Sequence, residues 1–257
     1  MKFCVPFFVF LFFGFGYGQD YDKKTYITKT DTLPYRILLP ENFHPQKAYP
    51  LLVFLHGVGE RGKDNQKQLI HGSSLFKSKE FRAKHPAIIV FPQCPENSYW
   101  ASVKKIKARK KENQFKFYKD LPKHHTMEIL QDFLYDIEKT YNIDPLRRYI
   151  GGLSMGGMGT FELVTRMPNY FASAFSICGG GHSQWAEDLS TTPFWVFHGS
   201  NDQTISYRYS KKMFKSMKRY NNQTKLTIYE GVAHNSWDLT FKEPELFDWV
   251  FSFTKNK

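Results

Sequence analysis

The 257-residue sequence is poor in cysteine, with three, and short of acidic side chains, with 24 Asp and Glu against 36 Lys and Arg. It contains no H-E-x-x-H pattern, its nine histidines are too scattered to specify a metal site, and no phosphate-cradling glycine loop occurs. No metal or other cofactor is therefore expected. Internal repeats, linkers and a second-domain boundary are absent as well, and the length suits a single α/β domain over residues 19–257. The longest apolar run, Val5 to Phe15 behind Met1-Lys2-Phe3, is too brief to span a bilayer. Followed by the small residues of Gly16-Tyr17-Gly18, it reads as a signal peptide over 1–18, cut after Gly18. Cys4 precedes the apolar run, so it is no lipoprotein cysteine. A secreted or periplasmic protein is expected, without stable membrane insertion.

What is abundant is positive charge. The net charge of +12 suits an acidic partner, such as an anionic glycan. Much of the excess lies between about residues 97 and 125, in Lys104-Lys105-Ile106-Lys107-Ala108-Arg109-Lys110-Lys111 and onward through Lys116, Lys119 and Lys123. This stretch reads as an irregular basic insertion. No nucleic-acid motif accompanies it, so no nucleic-acid partner is expected. A plainly solvated loop is the competing reading.

Lys24–Lys29 and Leu33–Leu39, joined at Thr30-Asp31-Thr32, read as an opening antiparallel hairpin. Apolar runs then alternate with helical patterns: Leu51–Leu55, Ala87–Phe91, Arg148–Ile150, Ala172–Ile177, Phe194–Phe197 and Lys225–Tyr229. Runs apolar at every position indicate strands buried on both faces of a parallel sheet. Met127, Leu130, Phe133, Leu134, Ile137 and Tyr141 recur at helical spacing behind Thr126, the expected N-cap, and further helices are expected around Tyr209–Met217 and Glu245–Phe251. The fold class is α/β, a mostly parallel doubly wound sheet of eight strands.

The sequence Gly152-Leu153-Ser154-Met155-Gly156 lies between a strand pattern and a helical one. G-x-S-x-G at a strand-to-helix turn is a nucleophile elbow, with glycines where side chains would collide across the turn. In a doubly wound sheet, ligand chemistry gathers at the carboxyl ends of strands. Asp202 follows one such strand and His234 the next, giving the chain order Ser154, Asp202, His234. In these roles His234 is the general base and acid, Asp202 fixes its tautomer, and Ser154 forms the acyl-enzyme. Asp188 and Asp238 are competing acids, less suitably placed in the chain. The oxyanion donors are expected to be the N–H groups of Met155 and of Val58 in Leu55-His56-Gly57-Val58-Gly59-Glu60-Arg61-Gly62, with His56 structuring that loop.

On these residues the chain resembles the α/β-hydrolase superfamily, and more narrowly secreted esterases near carbohydrate esterase family one and polyhydroxybutyrate-depolymerase-like proteins, including a branch called predicted peptidases. Matching blocks also include Pro92-Gln93-Cys94-Pro95 with Trp100, Ile143-Asp144-Pro145, Trp195-Val196-Phe197-His198-Gly199 and Gly231-Val232-Ala233-His234-Asn235-Ser236-Trp237. The resemblance implies carboxylic-ester hydrolysis without a metal, the same three catalytic residues, and a central nucleophile strand. It departs from the family at Gln203-Thr204-Ile205-Ser206 after the acid, and in the length of the basic insertion. In the implied strand order two strands separate Cys94 from Cys178, about 14 Å, beyond a disulfide's reach. Two buried free thiols are expected. The expected substrate is an acyl or aryl-acyl ester of a carbohydrate, in an anionic or plant or algal polysaccharide, with Trp100 and Trp237 lining a sugar or aryl subsite. A prolyl-oligopeptidase-like serine peptidase and a non-catalytic glycan-binding protein are the alternatives.

Overall fold

The computed structural model describes residues 20–106 and 114–255. The expected signal segment 1–18 and part of the basic stretch, including Arg109, Lys110 and Lys111, lie outside the described residues. The strands are β1 (Asp22–Ile27), β2 (Thr32–Leu38), β3 (Tyr49–Leu55), β4 (Ile88–Pro92), β5 (Val103–Ile106), β6 (Gln114–Phe117), β7 (Ile143–Leu153), β8 (Ser173–Ile177), β9 (Phe194–Gly199) and β10 (Lys225–Tyr229). The helices are α1 (Ser73–Lys77), α2 (Lys79–Lys84), α3 (His125–Thr140), α4 (Met155–Arg166), α5 (Arg208–Met217), α6 (Trp237–Thr240) and α7 (Leu246–Phe251).

Eight strands form one sheet in the order β1-β2-β4-β3-β7-β8-β9-β10. The β1–β2 hairpin is antiparallel and β2 joins β4 antiparallel, while the remaining pairs are parallel. Strand β3 shows why the central runs are continuously apolar. Every position from Tyr49 to Leu55 is buried. Leu51, Val53 and Leu55 enter one core with Phe133 of α3 and Phe161 of α4. Leu52 and Phe54 point the other way, into a core with Phe76, Phe81 and Phe247. Each such side chain contributes about 1.5–3 kcal/mol by leaving water, which is what holds helices to both faces. Cys94 and Cys178 are free and buried, on loops whose strands are separated by β3 and β7.

Two sequence expectations change. The basic stretch is not irregular throughout: β5 and β6 form an antiparallel hairpin with Val103 opposite Phe117 and Ile106 opposite Gln114. Its anchor is Phe117, buried edge-on against Trp185 and Tyr209. The Tyr209 hydroxyl adds a bond from the Phe115 N–H at 2.9 Å. In β6 Phe115 and Phe117 alternate with a lysine as a strand requires, but in β5 Lys105 stands opposite Phe115 and Ile106 is exposed, which hides the pattern. The second change is at α3, whose N-cap is His124, not Thr126. Nδ1 of His124 accepts the Met127 N–H at 3.3 Å. Thr126 sits inside the first turn, buried, with its hydroxyl against that of Ser98.

Candidate active site

Strand β7 ends at Leu153 and α4 begins at Met155, so Ser154 makes the whole turn between them. Its N–H donates to Ile177 O at 2.8 Å and its carbonyl accepts the Met158 N–H at 3.0 Å. Satisfying both neighbours holds Ser154 at φ 55, a left-handed conformation that costs a non-glycine residue about 1–3 kcal/mol. Close packing beneath the turn enforces it. A Cβ on Gly156 would stand 1.9 Å from the Leu55 carbonyl oxygen, so only glycine lets α4 start this near β3. The serine hydroxyl is thereby presented at the carboxyl edge of the sheet.

Ser154, Asp202 and His234, from three separate loops, meet there. Ser154 Oγ lies 2.9 Å from His234 Nε2, and His234 Nδ1 lies 2.7 Å from Asp202 Oδ2. Asp202 Oδ1 accepts the N–H groups of Thr204 and Ile205 at 2.8 and 2.9 Å. The Gln203–Ser206 turn, where the chain departs from the resembled family, therefore cradles the acid. Burial works against ionisation of Asp202, but hydrogen bonds from His198 and His234 outweigh it and hold the carboxyl well below the usual range. The carboxylate requires Nδ1–H on His234, which leaves the Nε2 lone pair facing the serine hydroxyl. That is the protonation state in which an imidazole can take a serine proton. Asp188 is exposed, and Asp238 bonds Asn235 on the outer face of its loop.

His198 was not expected from sequence. Its Nε2 donates toward both Asp202 Oδ2 at 3.1 Å and Ile205 O at 2.8 Å, and its Nδ1 meets Ser210 Oγ at 2.7 Å. It is wholly buried and braces the acid from behind. No regular spacing reveals this: the loop after β9 must turn back for Asp202, four residues on, to meet the ring, and α5 must pack for Ser210 to reach it.

The helix start leaves the Met155 N–H without an intrahelical acceptor. Val58 opens a short 3-10 turn, Val58–Glu60, whose preceding residue Gly57 packs against Ser154. His56 fixes the peptide between Gly57 and Val58: burial pushes the imidazole down to about 4, so it is neutral, and its Nδ1–H donates to Gly57 O at 2.6 Å. Its Nε2 accepts the Cys94 N–H at 3.0 Å, tying this loop to the one after β4.

The two tryptophans part company. Trp100 has no exposed surface and packs against His56 and Gly159, so it is a core residue and lines no subsite. Its neighbours Tyr99 and Ala101 instead line a cavity of about 590 Å³ with Arg61, Ser98, Tyr118 and His124, beside the β5–β6 hairpin. Trp237 is half-buried, edge-on to His234 with ring centroids 5.4 Å apart, and its other neighbour is His71 at 5.0 Å. Among the described residues one group brings potential metal-ligand atoms together, Cys178, Asp202 and His234, within 4.8 Å. Burial raises the Cys178 thiol far above its ordinary value, and Asp202 and His234 already share a proton, so this set is ill suited to a cation.

An eight-stranded sheet with β7 at its centre, turning through a glycine-flanked serine into α4, defines the α/β-hydrolase fold. The chain belongs to the phospholipase/carboxylesterase family, whose sequence model matches residues 43–245. It is similar to a bifunctional acetylxylan esterase/xylanase of Neocallimastix patriciarum, 26% identical over 182 residues, which covers 70% of this chain and 23% of that protein. It is also similar to acyl-protein thioesterase 1 of Candida albicans, 25% identical over 243 residues, 86% of this chain and 96% of the relative. Among solved structures, a thermostable esterase superposes with a TM-score of 0.82 at 31% identity, covering 92% of this chain and 64% of that one. The chain thus spans under a quarter of the acetylxylan esterase/xylanase and under two thirds of the thermostable esterase. Among the described residues no helix is long and apolar enough to cross a membrane.

Proposed function

We propose that the protein is an exported serine esterase that removes acyl or aryl-acyl groups from carbohydrate esters through an acyl-enzyme on Ser154. The observation that carries the reading is the continuous relay from Ser154 Oγ to His234 to Asp202, at 2.9 and 2.7 Å. In this mechanism His234 takes the Ser154 proton as Oγ attacks the ester carbonyl, and the Met155 and Val58 N–H groups receive the developing oxyanion. His234 then returns the proton to the leaving alcohol, and water repeats the sequence to release the acid. Similarity to an acetylxylan esterase supports the carbohydrate substrate, and the apolar segment Val5 to Phe15 supports export. The basic hairpin, with Lys104 and Lys105 exposed beside the 590 Å³ cavity, favours an anionic polymer.

A fluorophosphonate probe tests the nucleophile. It should label the folded protein and fail to label Ser154→Ala; equal labelling of both proteins refutes the role of Ser154. A parallel assay on acetylated xylan, methyl ferulate, nitrophenyl acetate, an acyl thioester and an aminoacyl anilide tests the substrate class. Turnover confined to the thioester would favour the chemistry named for the Candida albicans relative, and turnover confined to the anilide would favour a peptidase.

A further inference from the structure

The mechanism leaves one acidic side chain at the reaction centre without a task. Glu60 closes the turn that starts at Val58, and it is 8% exposed. A methyl group on Gly57 would stand 2.9 Å from Glu60 Oε2 and 3.7 Å from Ser154 Cβ, so carboxylate and serine flank the same point. The backbone around it is pinned: Glu60 N–H reaches Gly57 O at 3.4 Å, and Glu60 O accepts from the buried Gln93 side chain at 3.1 Å. His71 Nε2 stands 3.7 Å from the other oxygen, Oε1. Oε2 accepts no hydrogen bond from any described residue.

A carboxylate is a costly group to hold there. It lies beside the peptide that carries the second oxyanion donor, where its charge opposes the negative charge developing on the substrate. The same carboxylate is well suited to accept a hydrogen bond from a hydroxyl next to the scissile ester, and a buried acceptor that loses such a partner discriminates strongly against substrates lacking it. The half-buried Trp237, which touches both His71 and His234, offers an apolar ring on the same side. A carboxylate for hydroxyls beside an aromatic ring for the C–H face is chemistry that fits a sugar.

We infer that Glu60 is a specificity-determining residue that accepts a hydrogen bond from the hydroxyl vicinal to the ester oxygen, selecting esters of vicinal diols over esters of simple alcohols. The inference rests on the carbohydrate-ester reading above and names the feature of the alcohol that the site reads. The step involves no covalent change at Glu60; a carboxylate oxygen accepts one O–H.

Methyl 2-O-acetyl-xyloside and its 3-deoxy analogue differ only in the vicinal hydroxyl. Wild-type enzyme should show a kcat/KM at least about tenfold higher for the hydroxylated ester. Glu60→Gln should cut the ratio between the hydroxylated and the 3-deoxy ester by about tenfold, with the hydroxylated ester losing most of the rate. Equal wild-type rates on the two sugar esters overturn the inference without touching the carbohydrate reading, and so does a Glu60→Gln loss of the same size on both. If wild type hydrolyses nitrophenyl acetate but neither sugar ester, the carbohydrate reading and the inference fall together. The wild-type comparison needs no variant, so the test survives a Glu60→Gln protein that fails to fold.

Discussion

Replacing Asp202 by asparagine isolates what the acid contributes. In the native site one carboxylate satisfies four donors: His234 and His198 at Oδ2, and the Thr204 and Ile205 N–H groups at Oδ1. An amide has only one acceptor oxygen. Turned toward the histidines, it sets its NH₂ against two backbone N–H groups; turned toward the backbone, it sets its NH₂ against two imidazole N–H groups and drives His234 to the tautomer that cannot take the serine proton. The first orientation breaks two hydrogen bonds, the second sets the amide NH₂ against the His198 N–H and keeps His234 only in the wrong tautomer, and both remove the charge that steadies the imidazolium. The expected loss is about 10³ to 10⁴ in kcat, or about 4–5.5 kcal/mol of transition-state stabilisation. Stability should fall by about 2–4 kcal/mol, since bonds to a charged group are worth more than neutral ones. Nitrophenyl acetate turnover measures the first and thermal unfolding by circular dichroism the second. A folded Asp202→Asn enzyme retaining more than a tenth of wild-type kcat would refute the assignment, and Asp238→Asn serves as the control that should stay near wild type.

Lowering the pH tests the same carboxylate through linkage. Its folded pKa is depressed, so its stabilisation is fully present above about pH 4, the unfolded value, and is lost as pH falls from there toward the folded value. Wild-type Tm should therefore drop more steeply between pH 5 and pH 3 than that of Asp202→Asn; parallel curves would contradict this. Gly156→Ala puts a Cβ 1.9 Å from a backbone oxygen and should abolish soluble folded protein, whereas Gly59→Ala, with no atom within 4 Å, should express and melt like wild type. Thiol reagents should ignore Cys94 and Cys178 in the native protein, because burial pushes Cys94 up to about 12 and Cys178 higher still; both should react in denaturant. Neutralising Lys104, Lys105 and Lys116 together should raise KM for an anionic ester at low salt and not at high salt, and an equal effect at both would remove electrostatic attraction as the hairpin's role.

Much of the architecture was legible because the central strands are buried on both faces. Leu51–Leu55 and Phe194–Phe197 carry no polar residue that could face water, and such runs have few alternatives. The serine turn was legible for a similar reason: a close backbone approach leaves glycine as the only residue, and the glycines mark it. The hairpin at β5 and β6 was hidden because only its inward residues, Val103, Phe115 and Phe117, carry the strand signal while lysines dominate the composition. Trp100 misled because an aromatic residue near a site looks the same in sequence whether it lines the cleft or plugs the core. His198, His71 and Glu60 were silent for a third reason. Each meets a partner no more than 12 residues away in the chain, but through irregular turns rather than at a helical or strand spacing, so only the folded loop shows which side chains come together.

The contrast between the serine turn and the β5–β6 hairpin has a consequence for how such a protein changes over generations. At Gly156 the nearest obstacle is a main-chain oxygen, which no compensating side-chain substitution can remove. The hairpin lies at the edge of the molecule, pairs with no strand of the main sheet, and is anchored chiefly by Phe117 and Tyr209. A gene library that shuffles residues 103–117 while keeping that aromatic clasp should therefore leave the serine turn in place. The serine turn is fixed by main-chain contacts, the hairpin by a few aromatic ones.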